Sequence, residues 1–89
     1  MEKEMNFYLL KKQIGKEIRR NIVSGNDQFE MLFDYSKQTE KDLKKIKSSL
    51  QQMQIVSGIT KANNKHIVMY INFGNSPAVK LVRNVYKVQ

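Results

Sequence analysis

Between residues 4 and 23, Phe7, Leu10, Ile14, Ile18 and Ile22 recur at intervals of three and four, the spacing that lines one face of an α-helix. The pattern predicts a first helix over residues 4–23, with Leu9 standing off the stripe. Gly15 falls inside it at a cost of about 1 kcal/mol relative to Ala, which predicts close approach by another element. Ser24-Gly25-Asn26-Asp27 supplies left-handed and capping residue types and marks a turn. Phe29, Leu32 and Phe33 then read as one side of a short second helix over residues 27–35.

Thr39, Leu43, Ile46, Leu50 and Met53 repeat at four, three, four and three, which predicts a third helix over residues 37–53. Ser36 or Thr39 caps it, and Glu40 and Asp42 suit its N-terminal dipole. After Met53 the rhythm changes. Ile55, Val56, Ile59 and Thr60 are β-rich, Ala62-Asn63-Asn64-Lys65 is a turn, and Ile67, Met69, Ile71 and Phe73 alternate with Val68, Tyr70 and Asn72. That is a β-hairpin. The last segment is read two ways: Ser76-Pro77 and the spacing of Ala78, Leu81, Val82 and Val85 fit a capped helix, whereas its four valines fit a strand. The helix is preferred. The class is α+β, in a single domain over residues 1–89, since a chain of 89 residues builds one modest core.

Charge is distributed unevenly along this pattern. Residues 1–42 carry eight Lys/Arg and eight Asp/Glu, while residues 43–89 carry eight Lys/Arg and no acid, so the net charge of +8 arises in the second half. A basic surface without interspersed carboxylates concentrates positive potential and suits a polyanion. A lysine-rich helix face taken alone is often only a solvated face; the missing acids shift the reading towards nucleic acid. Without cysteine there is neither a disulfide framework nor a thiolate metal site, which fits a reducing cytoplasm. The chain shows no leader-like start and no run of about 18 apolar residues, so secretion and membrane insertion are not expected.

Tyr35-Ser-Lys-Gln-Thr-Glu-Lys-Asp-Leu-Lys-Lys-Ile-Lys-Ser-Ser-Leu-Gln-Gln-Met-Gln-Ile-Val56 resembles the recognition helix and first wing strand of winged helix-turn-helix proteins: a cap, a polar helix start, an apolar doublet and a closing aliphatic pair. The likeness covers residues 5–73. It departs from the family where Met53-Gln54 stands in place of the usual glycine before the wing, which predicts a displaced helix terminus. The resemblance implies three helices, a hairpin wing, and non-enzymatic binding of double-stranded DNA. Length, layout and a Lys/Asn/Ile-rich composition further resemble the small relaxosome accessory proteins that bind transfer origins of clostridial conjugative plasmids. A plasmid or phage repressor or replication accessory protein would look the same.

A helix in the major groove reads base edges with its N-terminal side chains, so Lys37, Gln38, Thr39 and Lys41 are the candidate readers. Lys44, Lys45, Ser48 and Gln51 are candidates for the DNA backbone. At the wing, Lys61, Asn63, Asn64 and Lys65 suit a minor groove or phosphates; the asparagines are first of all turn residues. Arg19 and Arg20 are a further basic pair, expected to pair with Glu17 at the end of the first helix. Double-stranded DNA is the expected partner, with a homodimer formed through residues 79–88 and part of the first helix, and with a relaxase or other nucleoprotein component in attendance.

Enzyme chemistry finds little footing. His66 is the sole histidine, the carboxylates show no spacing that marks an acid–base pair or ion site, and the isolated glycines form no phosphate-cradling loop. No catalytic residue, metal or cofactor is expected. A second class remains, a helical protein-interaction module whose positive charge is incidental.

Overall fold

Ile67, Met69, Ile71 and Phe73, each with no exposed surface, run down the centre of the molecule. The computed structural model describes residues 6–87; positions 4 and 5 of the expected first helix and Val88 lie outside them. The elements are α1 (Phe7–Ser24), β1 (Gln28–Asp34), α2 (Lys37–Gln52), β2 (Val56–Lys61), β3 (His66–Asn72) and α3 (Pro77–Lys87). β3 is the middle strand of an antiparallel sheet ordered β1-β3-β2, so its alternation is the strongest in the chain. Its inward side chains meet Phe29, Met31 and Phe33 of β1 and Ser57 and Ile59 of β2. α2 lies against β2, α1 against α2 and α3 against α1, which places the helices on one face of the sheet and leaves the other open.

The expected helix over residues 27–35 is a strand. Alternation decides it: Phe29, Met31 and Phe33 face the core, opposite Ile71, Met69 and Ile67, whereas Leu32, which a helical reading would bury, is 62% exposed. Seven residues are too few for a helix to hold itself without strong packing, and the ladder with β3 pairs the backbone groups that face it, as on any edge strand. A strand, β1, therefore stands between α1 and α2 where a second helix was expected. Gly15 also differs from expectation, since only the Arg19 guanidinium lies within reach of a Cβ there. Among the described residues no element closes on it.

The helix ends follow the capping logic closely. Asn6 caps α1 by accepting from the Leu9 N–H, and Gly25 at φ 87° takes the left-handed position that ends it. Ser36 caps α2, accepting from the Thr39 N–H at 3.0 Å. The terminus of α2 is not displaced. Gln54, at φ 60°, occupies the left-handed position, and the N–H groups of Gln54 and Ile55 donate to the carbonyls of Gln51 and Leu50, closing the helix in the Schellman manner.

The C-terminal segment is helical despite its valines. Ser76, fully buried, donates through Oγ to the Met53 carbonyl at 2.9 Å, which ties the start of α3 to the end of α2. Val79 is buried, and Arg83 donates to the Asp27 carboxylate and the Asn26 carbonyl while its guanidinium lies 5.7 Å from the centre of the Phe73 ring. No helix among the described residues is long and apolar enough to cross a membrane.

Candidate nucleic-acid interface

Strand pairing brings the hairpin turn to the start of α2. The Tyr35 N–H donates to the Lys65 carbonyl at 2.8 Å, extending the β1-β3 ladder to the residue that precedes the Ser36 cap. Lys61, at the end of β2, reaches back so that its ammonium lies 4.3 Å from the centre of the Tyr35 ring, a cation–π contact. The Tyr35 hydroxyl donates to Glu40 in the first turn of α2 at 3.2 Å. This hydrogen bond, with some burial and the adjacent carboxylate charge, raises the Tyr35 phenol above its ordinary 10.0.

The turn is held by its own side chain. Asn63 Oδ1 accepts from the Lys65 N–H at 2.8 Å and lies 3.2 Å from His66 Nδ1, an Asx turn. The Asn63 Oδ1 is thereby committed to the turn, while Asn63, Asn64 and Lys65 are all exposed. Lys37 and Lys41 are exposed one turn apart on α2, so Lys37, Lys41, Lys61, Asn64 and Lys65 gather at one end of the molecule.

The other expected readers fare differently. Thr39 is not available as a reader: it is 6% exposed and its hydroxyl accepts from Ser36 Oγ, because the residue three beyond the cap turns inward with Leu43. Gln38 is exposed, but its amide donates to Asp42 at 2.9 Å, and Asp42 is 2% exposed. Gln38 thus partners a buried carboxylate before it meets anything else.

Further along α2, Lys44 lies 3.8 Å from Glu40, and Lys45 turns to α1, with its ammonium 5.6 Å from the centre of the Phe7 ring. Lys44 and Ser48 share with Lys47, Ser57, Gly58 and Ile59 a cleft between α2 and the edge strand β2. Lys47 was not among the expected contacts, and its membership of that cleft was its only signal. Gln51 is exposed on the same side.

Arg19 and Arg20 do not join this end. Arg20 pairs with Glu17 at 3.0 Å, as expected of that pair, but Arg19 does not share it and lies with Ile46, Leu50 and Met53 beside the second half of α2. In the segment expected to form a dimer contact, Val79 is spent on the core, while Leu81 and Val85 are exposed.

Electrostatically the two faces differ. The outward positions of the sheet are Gln28, Glu30, Leu32 and Asp34 on β1, with Val56, Gly58 and Thr60 on β2 and His66, Val68, Tyr70 and Asn72 on β3. That face carries two carboxylates and no Lys or Arg. Among the described residues the carboxylates of the helical side are engaged: Glu17 with Arg20, Glu40 with Lys44 and Tyr35, and Asp42 with Gln38. Among the described residues no three His, Asp or Glu side chains assemble as a metal ion would need. No protein-family model matches the chain, and no curated protein or solved structure matches it.

Proposed function

We propose that the protein binds double-stranded DNA without catalysis, using the N-terminal half of α2 and the turn between β2 and β3. The observation that carries the reading is the Tyr35–Lys65 backbone hydrogen bond, which joins a basic helix start to a basic turn on the side of the molecule whose described carboxylates are already engaged. Lys37, Lys41, Lys61 and Lys65 then lie together as phosphate partners, and the exposed start of α2 has the width a major groove accepts.

The β1-β3-β2 sheet order, with a hairpin following the basic helix, supports a winged-helix reading in which β1 stands where a further helix is usual. Within that reading the resemblance to TcpK, the transfer-origin-binding relaxosome protein of clostridial conjugative plasmids, makes a plasmid transfer origin the target of choice. A repressor or replication role uses the same surface.

Fluorescence anisotropy with a labelled random duplex at graded salt tests the core of this reading. Neutralising about five phosphates gives a logarithmic salt slope of roughly −4 to −5. Absence of binding at low salt, or binding indifferent to salt, removes it. Sequencing of the DNA recovered from a genomic pull-down then names the site.

A further inference from the structure

α1, α2 and α3 do not close completely over one another. A cleft of about 370 Å³ remains between them, floored by buried Ile14, Leu50 and Val79 and walled by the half-exposed Met53 and Val82. Gly15 lies on its α1 side, where a Cβ would meet only the Arg19 guanidinium at 3.7 Å. A glycine here costs helix stability and leaves backbone open to approach, although a larger residue fits without a clash.

Three properties define the occupant. The cleft follows α1 from Lys11 to Ile22, about 16 Å or three helical turns, the length over which a helix lays apolar residues spaced three and four apart into a groove. Its lining is aliphatic along the floor. Its charged members, Lys11 and Arg19, are both cationic, and among the described residues no carboxylate lines it.

A second copy fits this poorly. α3 offers exposed Leu81 and Val85, yet it contains no acid and its Arg83 is already paired with Asp27, so it brings Lys80 and no carboxylate to Lys11 and Arg19. We propose that the cleft is a docking groove for an acidic amphipathic helix of another protein, whose apolar stripe replaces the missing Gly15 side chain and whose flanking Asp or Glu residues pair with Lys11 and Arg19. The groove lies beside the second half of α2, apart from the α2 start and the hairpin turn, so its occupation and DNA binding are separate events.

The probe is a labelled peptide of about 16 residues with leucines at helical spacing and glutamates on both flanks, compared with a lysine-flanked and a scrambled version. The full chain binds the glutamate peptide saturably and at least about tenfold tighter than the lysine peptide. Gly15→Leu fills the groove and loses that binding by at least about tenfold, while its thermal midpoint stays level or rises because Leu is the better helix former. The double reversal Lys11→Glu with Arg19→Glu inverts the preference between the two charged peptides.

Equal binding of the scrambled peptide, or undiminished binding by Gly15→Leu, overturns the proposal. So does a monomer–dimer equilibrium, seen by sedimentation without peptide and abolished by Gly15→Leu, which assigns the groove to a second copy.

Discussion

The Tyr35 N–H and the Lys65 carbonyl, 2.8 Å apart, join two turns that lie far apart in sequence: the one that starts α2 and the one that tips the hairpin. The bond fixes the spacing between Lys65 and the lysines of α2, and Asn63 fixes the Lys65 backbone in turn. Lys65→Ala is therefore expected to weaken binding to matched and scrambled duplexes alike and to reduce the salt slope by roughly one. Asn63→Ala loosens the turn and is expected to act in the same direction on both duplexes. A selective loss on the matched duplex with either variant would instead make the turn a base reader.

Gln38 serves two roles that separate experimentally. Removing its amide leaves the nearly buried Asp42 carboxylate without that donor, so Gln38→Ala is expected to lower stability by about 1–3 kcal/mol in urea unfolding. If it also reads a base, the matched-to-scrambled affinity ratio falls by an amount equivalent to about 1–3 kcal/mol. Lys41→Ala supplies the control, with stability unchanged within about 0.5 kcal/mol and affinity reduced. A Gln38→Ala variant with unchanged stability and an unchanged ratio contradicts both roles.

Tyr35 sets an alkaline limit. Its pKa is raised in the folded state by the Glu40 hydrogen bond, so the native protein holds the phenolic proton more tightly than the unfolded chain. This contribution is fully present below about pH 10 and is lost as pH rises through the folded value. Urea midpoints from about pH 9 to about pH 11.5 are expected to fall further for the parent than for Tyr35→Phe, which cancels the lysine titrations common to both. Parallel curves would refute this.

The helices and the hairpin were legible because their signals are local. Ser36, the 39-43-46-50 spacing and the alternation from Ile67 to Phe73 each state an element within a few residues, and the structure follows them. β1 was not legible as a strand. Phe29-Glu30-Met31-Leu32-Phe33 carries apolar residues at both helical and alternating positions, and only its partner β3, some forty residues away, selects the alternation.

The same locality limited the site. Spacing placed the exposed lysines on one side of α2 and Thr39 on the inner one, although Thr39 was also counted as a reader, but it hid the engagement of Gln38 by Asp42 and the departure of Lys45 towards Phe7. Lys47 drew no notice because the cleft it lines exists only where α2 meets the edge of β2.

Ser76 joins two helices through one hydroxyl. It is fully buried, donates to the Met53 carbonyl, and lies at the N-cap of α3, 3.5 Å from the Val79 N–H. Ser76→Ala removes the cap and leaves the Met53 carbonyl without this donor, an expected loss of about 1–3 kcal/mol. Hydrogen exchange should show the loss first across α3, whose remaining anchors are Val79 and Arg83. A loss below about 0.5 kcal/mol would mean that solvent reaches the Met53 carbonyl.

Gln54 carries the conformation that the missing glycine would otherwise supply. At φ 60° it sits where an L side chain crowds its own carbonyl, at a cost of roughly 1 kcal/mol that glycine avoids. The Schellman bonds from Gln54 and Ile55 to Gln51 and Leu50 hold it there, with Leu50 and Ile55 both buried beneath. Gln54→Gly is expected to keep those bonds and raise stability by about 0.5–1 kcal/mol, the relief of strain exceeding the added freedom of the unfolded chain. Gln54→Val, branched at Cβ, is expected to lower it by at least about 1 kcal/mol. Urea unfolding of the pair decides the matter: a glycine variant less stable than the parent would show that the Gln54 side chain contributes more than its backbone costs.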